Sequence, residues 1–291
     1  GFKRPLAICE TSRGCPYRCL FCSVWVFYRG RYRKKSPERV LREIASIRAP
    51  YVLFTDDNFL QDVERGYVLA ELLRTSGEKK RFIAQLRSDT VVEHKDLIKL
   101  WRECGLEGVF IGFEKIKDED LRTINKRNSV KNNEIALDVL RTLKIDVWSS
   151  FIVDPSFEKR DFEELLSYVR EKIIKNPTFS ILTPLPGTEL FQRMKAHLTT
   201  HDPRFFDIAH VVLPTRLNLR EFYEEFCRLY RKSYSAPSLI REGILCLMRH
   251  INSLPDLMRM LYNAYRLTRP IFYLRLHESA AGRTINRRNT L

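Results

Sequence analysis

The sequence predicts an α/β fold in which a parallel sheet is covered by helices and followed by a helical extension. Strand-like and helix-like segments alternate from about residue 6 to residue 197, which is the pattern of consecutive β/α units. The alternation stops near residue 218, and only helical periodicity continues after it. Six β/α units in about 195 residues are too few for the usual eight-stranded barrel of about 250 residues.

Each predicted strand is a short apolar run, and helical spacing of apolar residues fills the intervals between strands. The predicted strands are residues 6–10, 51–55, 82–87, 108–113, 146–153 and 178–183. The predicted helices that follow them are residues 37–47, 64–75, 95–104, 132–144, 161–175 and 188–197.

The end of the β/α alternation divides the chain into a core domain and a helical extension. Helices are predicted for residues 219–234, 237–250 and 254–267, the last with apolar residues on one stripe. We expect a core domain over residues 1–200, a helical C-terminal extension over 201–282 and a disordered tail over 283–291. Arg249, Arg259 and Arg266 flank the apolar stripes, so these helices either cap the barrel or lie on an anionic membrane surface.

Composition and charge restrict the class of protein. The 291 residues are 44% hydrophobic and 30% charged, which is typical of a globular enzyme. No apolar run of about 18 residues is present and no signal peptide precedes the first strand, so we expect a cytoplasmic protein. The net charge of +15 predicts an anionic partner or surface, although a basic run is often only a solvated face.

Three cysteines with unequal spacing, Cys15, Cys19 and Cys22, are the strongest chemical signal. A [4Fe–4S] cluster takes four thiolates, so three in one loop suggest a cluster with one open iron. Gly14 and Pro16 argue against the alternative, a buried helix face with the same spacing. A zinc site with residues 197 and 201 would leave Cys15 out, and the seven cysteines show no disulfide framework.

With aromatic Phe21 before the last cysteine, this loop resembles the signature of the radical S-adenosylmethionine (radical SAM) enzymes. The resemblance implies a partial barrel of six β/α units and a [4Fe–4S] cluster held by Cys15, Cys19 and Cys22. It further implies that S-adenosylmethionine binds the fourth iron and is cleaved to a 5′-deoxyadenosyl radical. The other four cysteines are expected to be bystanders, because buried free cysteine behaves as a small hydrophobic residue.

Residues that follow the strands are the expected cofactor contacts, since sites in parallel folds gather at the carboxyl ends of strands. Asp56, Asp57 and Asn58 follow the second strand, where a helix cap is the alternative reading. Arg87 follows the third strand, and the resemblance places it near the carboxylate or ribose of S-adenosylmethionine. The alternative is a structural ion pair between Arg87 and Asp89.

The fourth and fifth predicted strands supply two more expected cofactor contacts. Glu114 ends a glycine-containing strand that resembles the strand ending in Glu of the family, and could accept hydrogen bonds from the cofactor. Lys115 departs from the family, which usually has a small residue there. The resemblance also implies cofactor contacts for Phe21 and for Ser150 in the fifth strand.

A narrower resemblance is to the cobalamin-associated branch of the family, and within it to the hopanoid C-3 methylase group. It rests on the runs at residues 10–15, 23–25, 27–31, 36–40, 54–59, 151–155, 182–188 and 201–202. These enzymes transfer a methyl group from methylcobalamin to an unactivated carbon. The cobalamin-binding domain that normally precedes the barrel is absent from this chain, so cobalamin is implied only through such a domain in a longer protein.

The resulting hypothesis is a radical SAM methyltransferase acting on a small molecule or a lipid such as a hopanoid. It would need an electron donor such as ferredoxin or flavodoxin and would allow peripheral membrane contact. The alternatives are radical modification of tRNA or another anionic substrate, and a non-enzymatic iron–sulfur module. No RNA-binding barrel is visible after residue 218, which weakens the tRNA alternative.

Overall fold

A six-stranded parallel sheet forms the centre of the computed structural model, which describes residues 5–234 and 254–288. The strands lie side by side in the order β1, β4, β5, β6, β7, β8, so each β/α unit adds the next strand. Their bounds are β1 Leu6–Cys9, β4 Tyr51–Phe54, β5 Arg81–Leu86, β6 Leu106–Glu114, β7 Asp146–Val153 and β8 Asn176–Ile181. A two-stranded antiparallel ribbon, β2 Ser12–Arg13 and β3 Arg33–Lys34, lies beside it. The predicted α/β fold of six β/α units is confirmed.

Twelve helices are described with these strands. They are α1 Val24–Phe27, α2 Pro37–Ser46, α3 Val63–Ser76, α4 Ser88–Glu93, α5 Lys95–Glu103, α6 Asp118–Thr123, α7 Val130–Thr142, α8 Lys159–Glu171, α9 Glu189–Met194, α10 Leu219–Ser233, α11 Leu254–Leu267 and α12 Ile271–Arg288. Short 3-10 turns occupy Lys195–His197 and Pro203–Phe205. The predicted helix over residues 188–197 is therefore α9 followed by a 3-10 turn.

Local sequence signals account for where several helices begin and end. The Ser36 side chain accepts a hydrogen bond from the Arg39 backbone N–H, and Pro37 occupies the first turn of α2. Asp62 caps α3 in the same way, and α3 ends at Gly77, whose φ of 74° suits a residue without a Cβ. These caps satisfy backbone groups that a helix end leaves without partners.

The core lies between the sheet and the helices on one of its faces. Phe54, Phe59 and Phe82 stack with ring centroids 4.2 and 5.1 Å apart, and Trp101 of α5 packs edge-on against all three. The Trp101 indole N–H donates to the Gly66 carbonyl at 3.2 Å. Aromatic pairs of this kind add about 0.5–1.5 kcal/mol each beyond buried area, so the cluster ties β4 and β5 to α3 and α5.

The last strand of the sheet has its backbone covered by helix α10. The Tyr230 hydroxyl donates to the Phe179 carbonyl at 2.7 Å and accepts from the Phe179 N–H at 3.0 Å. The Tyr234 hydroxyl donates to the Pro177 carbonyl at 2.7 Å. An uncovered strand edge can pair with another chain, so Tyr230 of α10 and Tyr234 just after it protect β8.

The helical extension shares the core of the sheet. Phe222 and Phe226 of α10 belong to the same buried cluster as the strand residues, and so do Tyr273 and Leu274 of α12. The predicted helix over residues 237–250 lies outside the described residues. Helix α12 is described through Arg288, and residues 289–291 lie outside the described residues. The disordered tail expected over residues 283–291 stays a prediction.

Candidate functional site

The three cysteines lie in a loop of residues 14–23, here called the cysteine loop, between β2 and α1. Cys19 is buried, whereas Cys15 and Cys22 are half-buried, and all three are free thiols. The loop follows β1, so it lies at the carboxyl end of the sheet, where parallel folds carry their sites. The backbone N–H of Cys22 donates to the Cys19 carbonyl at 3.1 Å, which makes a tight turn between these two residues.

The cysteine loop has no regular secondary structure and is held by hydrogen bonds from distant segments. The Leu20 N–H donates to the Ile124 carbonyl at 3.0 Å, and the Leu20 carbonyl accepts from the Leu190 N–H at 3.0 Å. The Asn125 side-chain amide donates to the Arg18 carbonyl at 2.7 Å. These contacts fix the cysteines against the turn after α6 and against the start of α9.

Gly14 closes the start of the cysteine loop. Its φ is 88°, and a Cβ built there would lie 2.1 Å from the Arg31 carbonyl oxygen. Only glycine fits both the conformation and the close approach. The backbone of Arg31, just before ribbon strand β3, therefore packs directly against the first residue of the loop.

Asp56 and Asp57, which follow β4, hold the residues that lead into the cysteine loop and the first residue of that loop. Asp56 is fully buried; its carboxylate accepts from the Thr11 N–H at 2.7 Å, from the Thr11 hydroxyl at 2.6 Å and from the Ser12 hydroxyl. The Asp57 carboxylate accepts from the Gly14 N–H at 2.8 Å. Burial raises the pKa of Asp56, and the bonds from Ser12 and Thr11 oppose that rise. The structure thus gives both acids a loop-anchoring contact, which sequence reasoning missed.

Asn58, the third predicted residue of this group, is also buried. Its amide N–H donates to the Gln61 side chain at 2.8 Å. Its side-chain oxygen has no hydrogen-bond partner among the described residues, although it is buried. A buried acceptor of this kind fits a donor on a bound group.

Arg87, after β5, forms the ion pair that was considered as the alternative to a cofactor contact. Its guanidinium binds the Asp89 carboxylate at 2.6 Å and donates to the Lys126 and Arg127 carbonyls at 3.3 and 3.0 Å. It also lies 3.5 Å from the ring centroid of Tyr17 in the cysteine loop. Arg87 therefore connects the end of β5 to the loop through a cation–π contact.

Glu114 ends β6 with a φ of 65°, a backbone conformation that is unusual for residues other than glycine. Its carboxylate binds the Lys126 ammonium at 2.7 Å, and both residues are 8% exposed. A Cβ on Gly112 would lie 1.9 Å from the Glu114 carboxylate oxygen and 2.9 Å from the Lys126 nitrogen. The ion pair thus occupies the space that Gly112 leaves open. Neighbouring Lys115 is buried, 3.8 Å from Asp154.

The remaining predicted contacts, Ser150 and Phe21, are both half-buried. Ser150 of β7 lies in register with Gly112 of β6 on one side and Thr178 of β8 on the other. Phe21 lies between Leu20, which anchors the cysteine loop, and Cys22. Within residues 5–234 and 254–288 the Ser150 hydroxyl makes no hydrogen bond, and Phe21 has no polar side-chain group.

The thiols stand in a buried environment with positive charges close by. Burial raises the pKa of Cys15 and Cys19, and raises that of Cys22 to about 11. Arg87 acts against this rise at Cys15 and Cys19, and Lys126 acts against it at Cys19 and Cys22. A bound iron ion would favour the thiolates far more strongly, because its own charge is the largest in such a site.

The donor set fits an iron–sulfur cluster better than a single metal ion. Within residues 5–234 and 254–288, no three His, Cys, Asp or Glu side chains converge tightly enough to hold one ion. A tetrahedral zinc site needs such convergence, whereas a multi-iron cluster spans a larger space between its cysteines. Three soft thiolate donors on one loop are the ligands that such a cluster takes.

The sheet face opposite the helices carries exposed apolar side chains near this site, with exposed Gln85 of β5 in register beside one of them, Phe110. Ile8 of β1 is 72% exposed and Phe110 of β6 is 37% exposed, although both lie in strands of the central sheet. Strand register places Ile8 beside Leu53 and Phe110 beside Trp148 on the same face. The indole of Trp148 lies over Gly108, where a Cβ would meet it at 2.5 Å. Apolar surface of this kind at an enzyme site suits an apolar ligand.

Comparison with known proteins agrees with this geometry. A sequence model of the radical SAM superfamily matches residues 9–169. The chain is 38% identical over 232 residues to hopanoid C-3 methylase of Methylococcus capsulatus, covering 78% of this chain and 45% of that protein. It is 28% identical to bacteriochlorophyllide d C-12(1)-methyltransferase of Chlorobaculum tepidum, covering 79% and 52%. It is 27% identical to an anaerobic magnesium-protoporphyrin IX monomethyl ester cyclase of Cereibacter sphaeroides, covering 80% and 39%. The chain thus spans about half the length of these relatives.

Two solved structures share the fold. The cobalamin-dependent S-adenosylmethionine radical enzyme OxsB superposes with a TM-score of 0.58 at 18% identity, covering 96% of this chain and 55% of that one. The radical S-adenosylmethionine methyltransferase TsrM from Kitasatospora setae gives a TM-score of 0.56 at 17% identity, covering 67% and 38%. Both were solved with cobalamin bound.

Proposed function

The chain belongs to the radical SAM superfamily, and we propose that it methylates an unactivated carbon of an apolar substrate, such as a hopanoid lipid. Membership of the family implies S-adenosylmethionine and a [4Fe–4S] cluster as cofactors. The observation that carries the proposal is the loop of three free cysteines, fixed at the carboxyl end of the sheet. When bound, the cluster and S-adenosylmethionine supply a 5′-deoxyadenosyl radical that removes hydrogen from the substrate.

We propose that Cys15, Cys19 and Cys22 are the cluster ligands and that S-adenosylmethionine lies along the ends of β4 to β7. Three polar features there fit a cofactor with amino, carboxylate and ribose groups. They are the buried acceptor of Asn58, the guanidinium of Arg87 and the carboxylate of Glu114. Ser150 and Phe21 complete the proposed contacts, while Asp56 and Asp57 act chiefly by fixing the loop.

The apolar sheet face supports an apolar substrate. Ile8, Leu53, Phe110 and Trp148 present hydrocarbon and aromatic surface on the face opposite the helices. A substrate carbon without activating groups needs a radical for hydrogen removal and apolar contacts for binding. Methyl transfer is favoured over cyclisation because the hopanoid methylase is 38% identical, against 27% for the cyclase.

Cobalamin enters the proposal as the methyl carrier, provided by a cobalamin-binding domain beyond the residues of this chain. The support is that OxsB and TsrM, which share this fold, bind cobalamin. An electron donor such as ferredoxin or flavodoxin is proposed as the second partner, because the cluster must be reduced. Peripheral membrane contact is proposed for delivery of a lipid substrate. In residues 5–234 and 254–288, no helix is both long enough and apolar enough to span a membrane.

The test of cluster chemistry is anaerobic reconstitution with iron and sulfide, followed by reduction with S-adenosylmethionine and measurement of 5′-deoxyadenosine. Cys15→Ala, Cys19→Ala and Cys22→Ala should each abolish cluster uptake and 5′-deoxyadenosine, because each removes one of three ligands. Cys104→Ala is the control, since Cys104 is a buried thiol that donates to the Ala70 carbonyl. Equal loss in all four variants, or a wild-type cluster that never cleaves S-adenosylmethionine, would refute the assignment.

The test of methyl transfer uses the reconstituted protein with dithionite, S-adenosylmethionine, methylcobalamin carrying a deuterated methyl group, and a hopanoid in detergent. A labelled methyl group on the hopanoid, found by mass spectrometry, supports the proposal. If 5′-deoxyadenosine forms but no methyl group is transferred in the presence of a cobalamin-binding domain from a relative, the reaction type is wrong although the radical chemistry stands.

A further inference from the structure

The turn that follows α6, residues 124–127, touches the cysteine loop and the ends of two strands. The Ile124 carbonyl and the Asn125 side chain each hold a backbone group of the loop, at 3.0 and 2.7 Å. The carbonyls of Lys126 and Arg127 both accept from the Arg87 guanidinium at the end of β5. The Lys126 ammonium binds the Glu114 carboxylate at the end of β6. We call these residues the 124–127 turn.

The backbone of the 124–127 turn is shaped for these contacts. Asn125 has φ of 52° and Arg127 has φ of 48°, both in the left-handed region. Residues other than glycine rarely adopt that backbone conformation, so the conformational free-energy cost of two of them in one turn must be offset by favourable contacts. The hydrogen bonds to the cysteine loop and to Arg87 are such contacts.

Lys126 is the charged member of the turn, and it is buried. Its ammonium is 2.7 Å from the Glu114 carboxylate, and both groups lie against the bare backbone of Gly112. A buried ion pair is rarely a gain in stability over an apolar pair, because both charges lose their hydration. A role in the site is therefore a better explanation of Lys126 than stability alone.

The field of Lys126 acts on the cysteines. The 124–127 turn flanks Cys19, because the Ile124 carbonyl and the Asn125 side chain hold the backbone of Leu20 and Arg18 on either side of it. Burial raises the pKa of the Cys19 thiol, and the positive charges of Lys126 and Arg87 oppose that rise. Lys126 also favours the thiolate of Cys22.

We propose that Lys126 is a positioning residue that holds Glu114 in place and, by its buried positive charge beside Cys19, makes the iron–sulfur cluster easier to reduce. The inference rests on the proposed function, because it requires that Cys15, Cys19 and Cys22 hold the cluster. Reduction adds one negative charge to the cluster, and a nearby cation stabilises the more negative state. In a partly desolvated site such an interaction is far stronger than in water.

The experiment measures the midpoint potential of the reconstituted cluster by dithionite titration followed by electron paramagnetic resonance, without S-adenosylmethionine. Lys126→Met removes the charge and keeps an unbranched side chain. At a fixed potential it should lower the ratio of reduced to oxidised cluster about tenfold, which is about 59 mV for a one-electron couple. Lys126→Arg keeps the charge and should stay close to the wild-type ratio.

Glu114→Gln supplies a test of opposite sign. It removes the negative charge that opposes Lys126, so it should raise the ratio of reduced to oxidised cluster, whereas damage to the fold would not reverse direction. If Lys126→Met does not fold because it strands a buried carboxylate, Glu114→Gln and the double variant Glu114→Gln/Lys126→Met measure the same ammonium. The double variant should then show the tenfold fall relative to Glu114→Gln.

Lys115→Met is the matched control. Lys115 is as buried as Lys126 but pairs with Asp154 and lies 5.5 Å from the centroid of the Phe157 ring. Its removal should leave the reduction ratio at the wild-type value, even where urea unfolding shows a loss of stability. An equal fall in Lys115→Met and Lys126→Met would overturn the inference, because any buried charge would then have the same effect.

The same experiment distinguishes a failure of this inference from a failure of the proposed function on which it rests. A wild-type chain that takes up no four-iron cluster overturns both. A wild-type chain that takes up the cluster, with reduction ratios unchanged in Lys126→Met and Glu114→Gln, overturns the inference and leaves the proposed function standing.

Discussion

Replacement of Asp56 is expected to show whether its shape or its charge holds the cysteine loop. The fully buried carboxylate accepts hydrogen bonds from the Thr11 N–H, the Thr11 hydroxyl and the Ser12 hydroxyl. These two residues lead directly from β1 into the loop. Asp56 therefore supplies all the acceptors for three buried donors next to the proposed cluster.

Two effects of opposite sign act on the carboxylate. Burial raises its pKa above the ordinary value, and this outweighs the bonds from Ser12 and Thr11, which lower it. The native state therefore binds more protons than the unfolded state just above the ordinary pKa, so Asp56 removes stability as pH rises through its raised pKa. The net burial cost means that a neutral group of the same shape should be tolerated.

We therefore expect a small effect for Asp56→Asn and a large one for Asp56→Ala. Asparagine keeps an acceptor for the Thr11 N–H, and the two hydroxyls can rotate to accept from its amide, so the loss should be below about 1 kcal/mol. Alanine leaves three buried donors without a partner, at about 1–3 kcal/mol each, so the loss should be at least about 3 kcal/mol. Cluster uptake should follow the same order.

The assay is urea unfolding of the cluster-free protein near neutral pH, with iron content after reconstitution as the second measurement. Asp57→Asn serves as a control that keeps an acceptor for the Gly14 N–H. If Asp56→Asn is as unstable as Asp56→Ala, the charge of Asp56 is essential and the ordering of the two effects is wrong.

Two further expectations concern Gly112 and His277. Gly112→Ala places a Cβ 1.9 Å from the Glu114 carboxylate, so the Glu114–Lys126 pair must move; we expect a loss of about 1–3 kcal/mol in urea unfolding and altered cluster reduction. An alanine variant with wild-type unfolding and reduction would contradict the packing of that pair. Burial lowers the pKa of His277 in α12 to about 4 from 6.5, so the unfolded state binds the extra proton between these values and stability falls as pH drops from 6.5 towards 4. The loss of stability is limited to about 3 kcal/mol, and is smaller because His277 is partly exposed. His277→Phe, which keeps a ring beside Tyr223, should abolish this pH dependence. A variant that keeps it would show that another group causes it.

Sequence patterning predicted the sheet because its signals are local. Each of the six strands is confirmed with bounds that shift by about two residues or fewer, and β7 is predicted with its observed bounds. The short elements were missed, among them α1, α4, α6 and the ribbon of β2 and β3. They are too short to show a period, and tertiary hydrogen bonds rather than propensity hold them. Helix α12 was missed because its apolar residues are concentrated at its start instead of recurring along its length, and its anchoring contacts lie in α10 and the core.

For the candidate site, the sequence carries a signal where the residues concerned are close in the chain and none where they are distant. Cys15, Cys19 and Cys22 stand within eight positions, so their spacing alone suggested a cluster. Lys126 carries no such signal, because it pairs with Glu114 twelve positions away and acts on Cys19 across the fold. A buried lysine is visible only once packing is known.

The polar groups at the strand ends have two roles, of which the first is to anchor the cysteine loop and the second is the proposed contact with the cofactor. The cysteine loop has no ladder of its own, so its backbone must be held by side chains from neighbouring strands. From the end of β4, Asp56 and Asp57 hold the loop and the residue before it. From the end of β5, Arg87 contacts Tyr17 of the loop. The 124–127 turn, which is bound to the end of β6, holds the loop backbone. Three consecutive strands thus fix one loop, and a displacement of any of them moves the cysteines. A ligand set held this way gains the rigidity that a regular element would otherwise provide. Polar residues after strands in this fold should therefore be tested first as loop anchors and only then as cofactor contacts, and Asp56→Asn beside Lys126→Met makes that distinction in a single protein.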